Sequence, residues 1–211
     1  MSADPSTIAA DLRCLSLLFS YPDAAWALQP VPAESAARGA ALLARMRAVD
    51  AIVLQSEYVR LYINAMPSLP CPPYGSVHLE GSVMGRTTVQ LAACYRRYGL
   101  VCEEAADHIA VECEFLALLR RFAGRDAETA ADCRFLVDHL QRWADTFFDL
   151  VDHHDTLGIY RQAAAFGRSV VAAAGGGVDD LETAATPSHR PRNRHRSPPP
   201  PLRPGTRGGG F

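Results

Sequence analysis

Two groups of side chains in this 211-residue chain are of types that could do acid, base or metal chemistry. Asp107-His108 with Glu112 places an imidazole and a carboxylate at i and i+4 on one helix face, and Asp152-His153-His154-Asp155 adds further candidate ligands. A small metal-dependent helical hydrolase would use such groups. Neither has a His-Glu-x-x-His arrangement or an equivalent closed set of ligands, so no metal and no catalytic residue is expected. No Gly-x-Ser-x-Gly motif marks a nucleophile elbow, and Gly175-Gly176-Gly177 lacks the Lys-Ser/Thr ending of a phosphate cradle. No cofactor is expected either.

A third group suits gripping a chain better than turning over a substrate. Tyr58, Leu61 and Tyr62 stand at i, i+3 and i+4, with Leu54 one turn earlier, so one helix face carries two rings and two Leu side chains. Spacing alone also fits plain core packing. The next segment, Pro70-Cys71-Pro72-Pro73-Tyr74-Gly75-Ser76-Val77-His78-Leu79-Glu80, is rich in Pro and aromatic residues. Asp107, at a helix start, reads as a first-turn acid favoured by the helix dipole, with His108 a partly exposed neighbour. Alternatively, it accepts charge-assisted hydrogen bonds from a partner's Arg, while His108 orients it or senses pH.

The elements that must hold these groups are helices. Apolar spacing near 3.6 recurs along the body and no alternating run is long enough for a convincing strand, which predicts an all-α, single-domain bundle of about seven or eight helices. The spacing predicts helices over Thr7–Ser20, Ala33–Val49, Asp50–Asn64, Thr87–Tyr98, Asp107–Ala123, Asp126–Asp152 with a break near Gln141, and Thr156–Ala174. Gly99 and Gly124 supply stops and Asp126 a cap. Pro67, Pro70, Pro72 and Pro73 forbid a continuous helix, leaving a loop between the third and fourth helices as the expected site of function.

A chain of this length with 48% hydrophobic residues supports one core. Its longest apolar runs fall short of a membrane span, so no membrane insertion is expected. An amino terminus without a basic patch is a poor export signal, which predicts a cytoplasmic protein. The six Cys form no Cys-x-x-Cys pair and read as buried reduced thiols. Residues 1–184 are expected to form the helical domain and 185–211 a disordered Arg/Pro/Gly-rich tail. That tail holds six Arg and no acid, leaving a body with 15 basic against 23 acidic residues, near −8. The tail opens a nucleic-acid reading through phosphates, which the acidity of the body opposes.

The three quoted segments together resemble the TorD/DmsD family of molybdoenzyme-specific chaperones, with the nitrate reductase assembly chaperones as more distant relatives. The likeness rests on Tyr58-Val59-Arg60-Leu61-Tyr62, on Pro72-Pro73-Tyr74-Gly75-Ser76-Val77 and on Asp107-His108, with Trp143, Phe147 and Tyr160-Arg161 fitting the later helices. Two departures stand out: Glu103-Glu104-Ala105-Ala106 precedes Asp107 where the family usually has Pro, and His78 occupies a place where Tyr or Trp is usual. The resemblance implies a cytoplasmic chaperone, not an enzyme. It would bind the amino-terminal twin-arginine signal region on the catalytic subunit of a molybdopterin oxidoreductase, holding the apoenzyme for cofactor insertion and delaying export. On that reading Tyr58, Leu61, Tyr62 and Tyr74 line an apolar groove, and Pro73, Gly75, Ser76 and His78 are further peptide-binding residues. Asp107 and His108, with Glu57 or Glu80 as further candidates, would meet the two Arg.

Overall fold

A computed structural model describes residues 5–33, 35, 37–122 and 126–176. The stop expected at Gly124 and the tail from residue 185 lie outside the described residues. In chain order the helices are α1 (Pro5–Leu18), α2 (Ala24–Ala27), α3 (Ala37–Arg47), α4 (Ala51–Tyr62), α5 (Gly75–Glu80), α6 (Arg86–Arg97), α7 (Ile109–Arg120), α8 (Ala127–His154) and α9 (Ile159–Gly176). The fold is all-α: no strand occurs among the described residues, and the seven long helices fall where apolar periodicity places them. No helix among the described residues is long and apolar enough to cross a membrane.

The starts and stops follow local chemistry. Asp50 accepts from the Ile52 and Val53 N–H groups at the head of α4, and Asp126 accepts from Thr129 N–H at 2.7 Å at the head of α8, each satisfying an orphan donor of the first turn. Past the end of α6, Gly99 adopts φ 72°, a conformation that favours Gly. The expected break near Gln141 does not occur. Leu136, Leu140, Trp143, Phe147 and Val151 keep one continuous buried stripe across that point, with neither Pro nor Gly to interrupt it.

Two short helices escape periodicity. In α2, Asp23 accepts from Trp26 N–H at 2.7 Å, and the buried Trp26 donates its indole N–H to Leu17 O at 2.7 Å. The Pro-rich loop contains the other, α5, six residues long and closed by Gly81 at φ 72°. Six residues are too few for a periodic signal.

The buried middle is α7, which packs against α1 on one side and α8 on another. The bundle is completed by α9, packed on α8, α1 and α3. Helices α8 and α9 approach closely because Gly167 has no side chain; a Cβ there would stand 2.5 Å from Phe148 Cζ. Between α1, α4, α8 and α9 lies an aromatic cluster of Phe19, Tyr58, Tyr62, Phe147 and Tyr160, mostly in edge-to-face pairs with centroids 4.9 to 6.3 Å apart. All six Cys are free thiols; five are buried and Cys102 is half-buried.

Candidate functional site

The segment before α7 and the segment before α5 are clipped together. Gly75 N–H donates to Asp107 O at 2.8 Å, Ile109 N–H donates to Pro73 O at 2.9 Å, and Tyr74 and His108 form an isolated antiparallel bridge. The Asp107 side chain adds a third tie: its Oδ2 accepts from Ser76 N–H at 2.8 Å, with the whole residue out of contact with solvent. A carboxylate at the first turn of α5 satisfies a donor that the short helix leaves open. The neighbouring His108 caps α7, its Nδ1 accepting from Ala110 N–H at 3.1 Å. Burial pushes the His108 imidazole down to about 4, so it remains neutral at physiological pH and keeps that nitrogen free to accept. The helix therefore begins at Ile109, two residues later than its spacing predicts.

Beneath the clip lies a buried polar pair. Glu112 on α7 and His139 on α8 approach to 2.7 Å between Oε2 and Nδ1, Glu112 having no solvent exposure. Burial pushes the Glu112 carboxyl up to about 7, with the His139 and Trp143 side chains pulling the other way. Helix α5 rests directly on this layer. A Cβ on Gly75 would stand 2.9 Å from both His139 Cε1 and Trp143 Nε1. His78 stacks on Trp143 with centroids 5.3 Å apart and an 18° interplanar angle, and donates Nε2–H to Pro72 O at 2.8 Å.

The open surface nearest to the clip is a cleft beside residues 99–106. Two hollows, of about 570 and 490 Å³, share the wall made by Leu100, Val101, Cys102, Glu103 and Glu104. One is backed by Val111, Phe115 and Leu118 of α7. The other is backed by Thr88 and Ala92 of α6, with Tyr74, Val83 and Met84 at its edge. Its apolar groups are presented to solvent: Val101 is 89% exposed and Met84 69%. Glu103 and Glu104 are exposed on the shared wall, and the Tyr74 hydroxyl lies 3.5 Å from Glu104 Oε1. Cations also line the cleft, at Arg96, Arg121 and Arg13, the last paired with Glu114 at 2.7 Å.

Comparison with known proteins decides what kind of molecule carries this arrangement. Residues 29–149 match the family described as nitrate reductase delta subunit. The chain belongs to that family. A solved crystal structure of a protein from Archaeoglobus fulgidus described as a redox enzyme maturation protein is similar to it, with 31% identity and a TM-score of 0.53, over 78% of this chain and 91% of that one. No curated protein sequence matches the chain. The nitrate reductase delta subunit family is one of NarJ/TorD-type chaperones of redox enzyme maturation, as the sequence motifs imply, and not of catalysts. A molybdoenzyme subunit is the class of partner that membership implies.

The motif residues of this delta-subunit family member lie close together in space, but most lie beneath the surface. Tyr58, Leu61 and Tyr62 are buried in the aromatic core, and Pro73, Gly75, Ser76, Asp107 and His108 are buried in the clip. Tyr74 and His78 are half-buried, and of the ten only Tyr74 lines the cleft. The open groove expected over Tyr58, Leu61 and Tyr62 is thus filled by Phe19, Phe147 and Tyr160.

The two further acids are engaged as well. Glu57 takes Arg60 in two hydrogen bonds of 2.7 Å and accepts from Thr156 N–H and Oγ1–H, tying α4 to the turn before α9. Glu80 accepts from Arg86 N–H, Thr87 N–H and the Thr87 hydroxyl at the head of α6.

The Glu112–His139 pair and the cleft wall went unread in the sequence. An acid at 112 between Ile109 and Leu116, and a His at 139 between Leu136 and Leu140, are polar residues on otherwise apolar stripes. That interruption was the available signal. Among the described residues no group of three His, Cys, Asp or Glu is placed to hold a metal ion.

Proposed function

We propose that this chain is a cytoplasmic chaperone for the catalytic subunit of a molybdopterin oxidoreductase. In this reading it binds the subunit's amino-terminal twin-arginine signal region, holds the apoenzyme for cofactor insertion and delays export. The observation that carries the reading is the cleft, where exposed apolar side chains at Val83, Met84, Leu100 and Val101 stand beside the carboxylates of Glu103 and Glu104.

A twin-arginine leader needs both kinds of surface: an apolar wall for its hydrophobic stretch and acceptors for its two guanidinium groups. The hollows, at about 570 and 490 Å³, are of a size that takes a few side chains. Covering about 400 Å² of peptide apolar surface is worth roughly 10 kcal/mol at about 25 cal/mol per Å². Association and ordering costs remove several kcal/mol of that, which leaves micromolar to nanomolar affinity. Binding in that range is firm and still releasable.

The motif residues act in two ways. Tyr74 touches the peptide, and Pro73, Gly75, Ser76, His78, Asp107 and His108 fix the edge from which it does so. Tyr58, Leu61 and Tyr62 anchor the core under that edge. The test is co-purification: the tagged chain, expressed in its host, should retain the apo form of a molybdoenzyme subunit and lose it when the subunit's leader is deleted. Retention of a leaderless, folded subunit with equal yield would refute leader recognition and leave a factor that binds folded surfaces.

A further inference from the structure

The buried Glu112–His139 pair is not explained by peptide binding, because it faces no cleft. It is fully enclosed, it joins α7 to α8, and the element laid over it is α5, which touches it at Gly75 and is tied down on the far side by Asp107. The geometry points to a pH-sensitive seat: the proton on the Glu112 carboxyl, packed against His139, keeps α5 docked, and its loss loosens α5 together with Tyr74 and the adjoining edge of the cleft.

The physical argument starts from charge. While the Glu112 carboxyl keeps its proton it carries no charge, which a site without water tolerates. Removing that proton leaves one uncompensated negative charge under α5, close to the equally buried carboxylate of Asp107. Relief requires water, and water enters most readily by lifting the thinnest cover. Helix α5 is that cover: six residues, without an apolar stripe of its own, seated on His139 and Trp143 through a Gly with no side chain. The helices α7 and α8 themselves are deeply packed and cannot yield locally.

The other groups around Glu112 do not supply the switch. Tyr95 on α6 and Cys113 on α7 are both driven well up by burial and stay neutral. His108, whose carbonyl accepts from Glu112 N–H at 3.0 Å, is neutral above about 4. From α5 itself only His78 is near, across the Trp143 ring. Burial raises the Glu112 carboxyl to about 7, which places its deprotonation inside the range a cell visits.

Hydrogen exchange on the intact chain tests the seat without any client, so its outcome is separate from the leader-binding reading. Protection factors of the Ser76 to Glu80 amides should fall about tenfold between pH 6 and pH 8, the change for one proton with a docked pKa near 7 and an ordinary value when open. Amides in the middle of α8, which open only with the whole fold, should remain far better protected than those of α5 at both pH values. Glu112→Gln, neutral at every pH, should abolish the fall and hold α5 at its acid-side protection. A wild-type profile flat from pH 6 to 8 overturns the proposal, and so does an unchanged fall in Glu112→Gln. Should that variant not fold, the wild-type titration decides alone.

Discussion

Asp107 and Ser76, 31 residues apart in sequence, are joined by a buried 2.8 Å hydrogen bond from the Ser76 N–H to the Asp107 carboxylate. The bond unites two of the motifs by which the family is recognised, and it gives the acid a structural task before any contact with a client.

Asp107→Ala should therefore destabilise the fold. It strands a buried N–H and opens space at the head of α5, a loss of roughly 1 to 3 kcal/mol. Asp107→Asn retains an acceptor and should lose less. Chemical denaturation of both variants measures the difference. In a peptide titration, Asp107→Ala should weaken binding with the salt dependence intact, since its carboxylate is screened from solvent. A flattened salt slope would mean that Asp107 meets the client's Arg directly.

The two motif tyrosines should part company. Tyr58 donates its hydroxyl to Phe19 O at 3.0 Å in a buried bond, while the Tyr62 hydroxyl is buried with no partner among the described residues. Tyr58→Phe should cost about 1 kcal/mol, and Tyr62→Phe should be neutral or slightly stabilising, because it removes a polar atom with nothing to bind. Thermal unfolding of the pair reads this directly; equal losses would contradict the assignment.

Leu61 has no exposure, so Leu61→Ala should cost about 2 to 5 kcal/mol through the cavity it leaves. Any weakening of peptide binding in that variant should track its loss of stability and disappear at low temperature where the fold is fully populated. A binding defect that persists in fully folded protein would place Leu61 at the client instead.

Glu57 gives a prediction for the acid range. Burial alone would raise its pKa, but Arg60 and the two Thr156 donors outweigh it and hold the carboxyl below its usual range. A depressed folded pKa contributes stability that is present above the unfolded value near 4.5 and is lost as pH falls through the folded value. Glu57→Gln should thus lower the melting temperature at neutral pH and flatten its decline below about pH 4.5. An unaltered acid limb in the variant would remove Glu57 from the account.

The long helices were legible in the sequence because Leu136, Leu140, Trp143 and Phe147, like Ile8, Leu12 and Leu15, repeat at helical spacing over several turns. The cap at Asp126 was legible because an acid ahead of an apolar run is a local signal, whereas Asp50, which also caps, was read only as the start of its helix. The short α5 was not, since a six-residue helix after two Pro carries no period and is held by Asp107, a residue far along the chain. The motif residues were legible as a set but not in their exposure. A Tyr-x-x-Leu-Tyr stripe reads alike whether it faces a client or a core, and only the arrival of Phe19, Phe147 and Tyr160 from other helices decides for the core. The cleft wall at Leu100 to Glu104 lies in a segment without periodicity and became visible only once α6 and α7 were placed on either side of it.

The most direct test of the account is calorimetric titration of a synthetic twin-arginine leader peptide from a molybdopterin oxidoreductase catalytic subunit into the full chain. Wild type should bind it with one-to-one stoichiometry and an affinity that weakens with salt. Glu103→Gln/Glu104→Gln should bind at least tenfold more weakly with a flattened salt slope, and Val101→Ser should bind more weakly with the slope intact. Wild-type affinity and salt dependence in all three proteins would contradict the claim that this cleft is where the client is held.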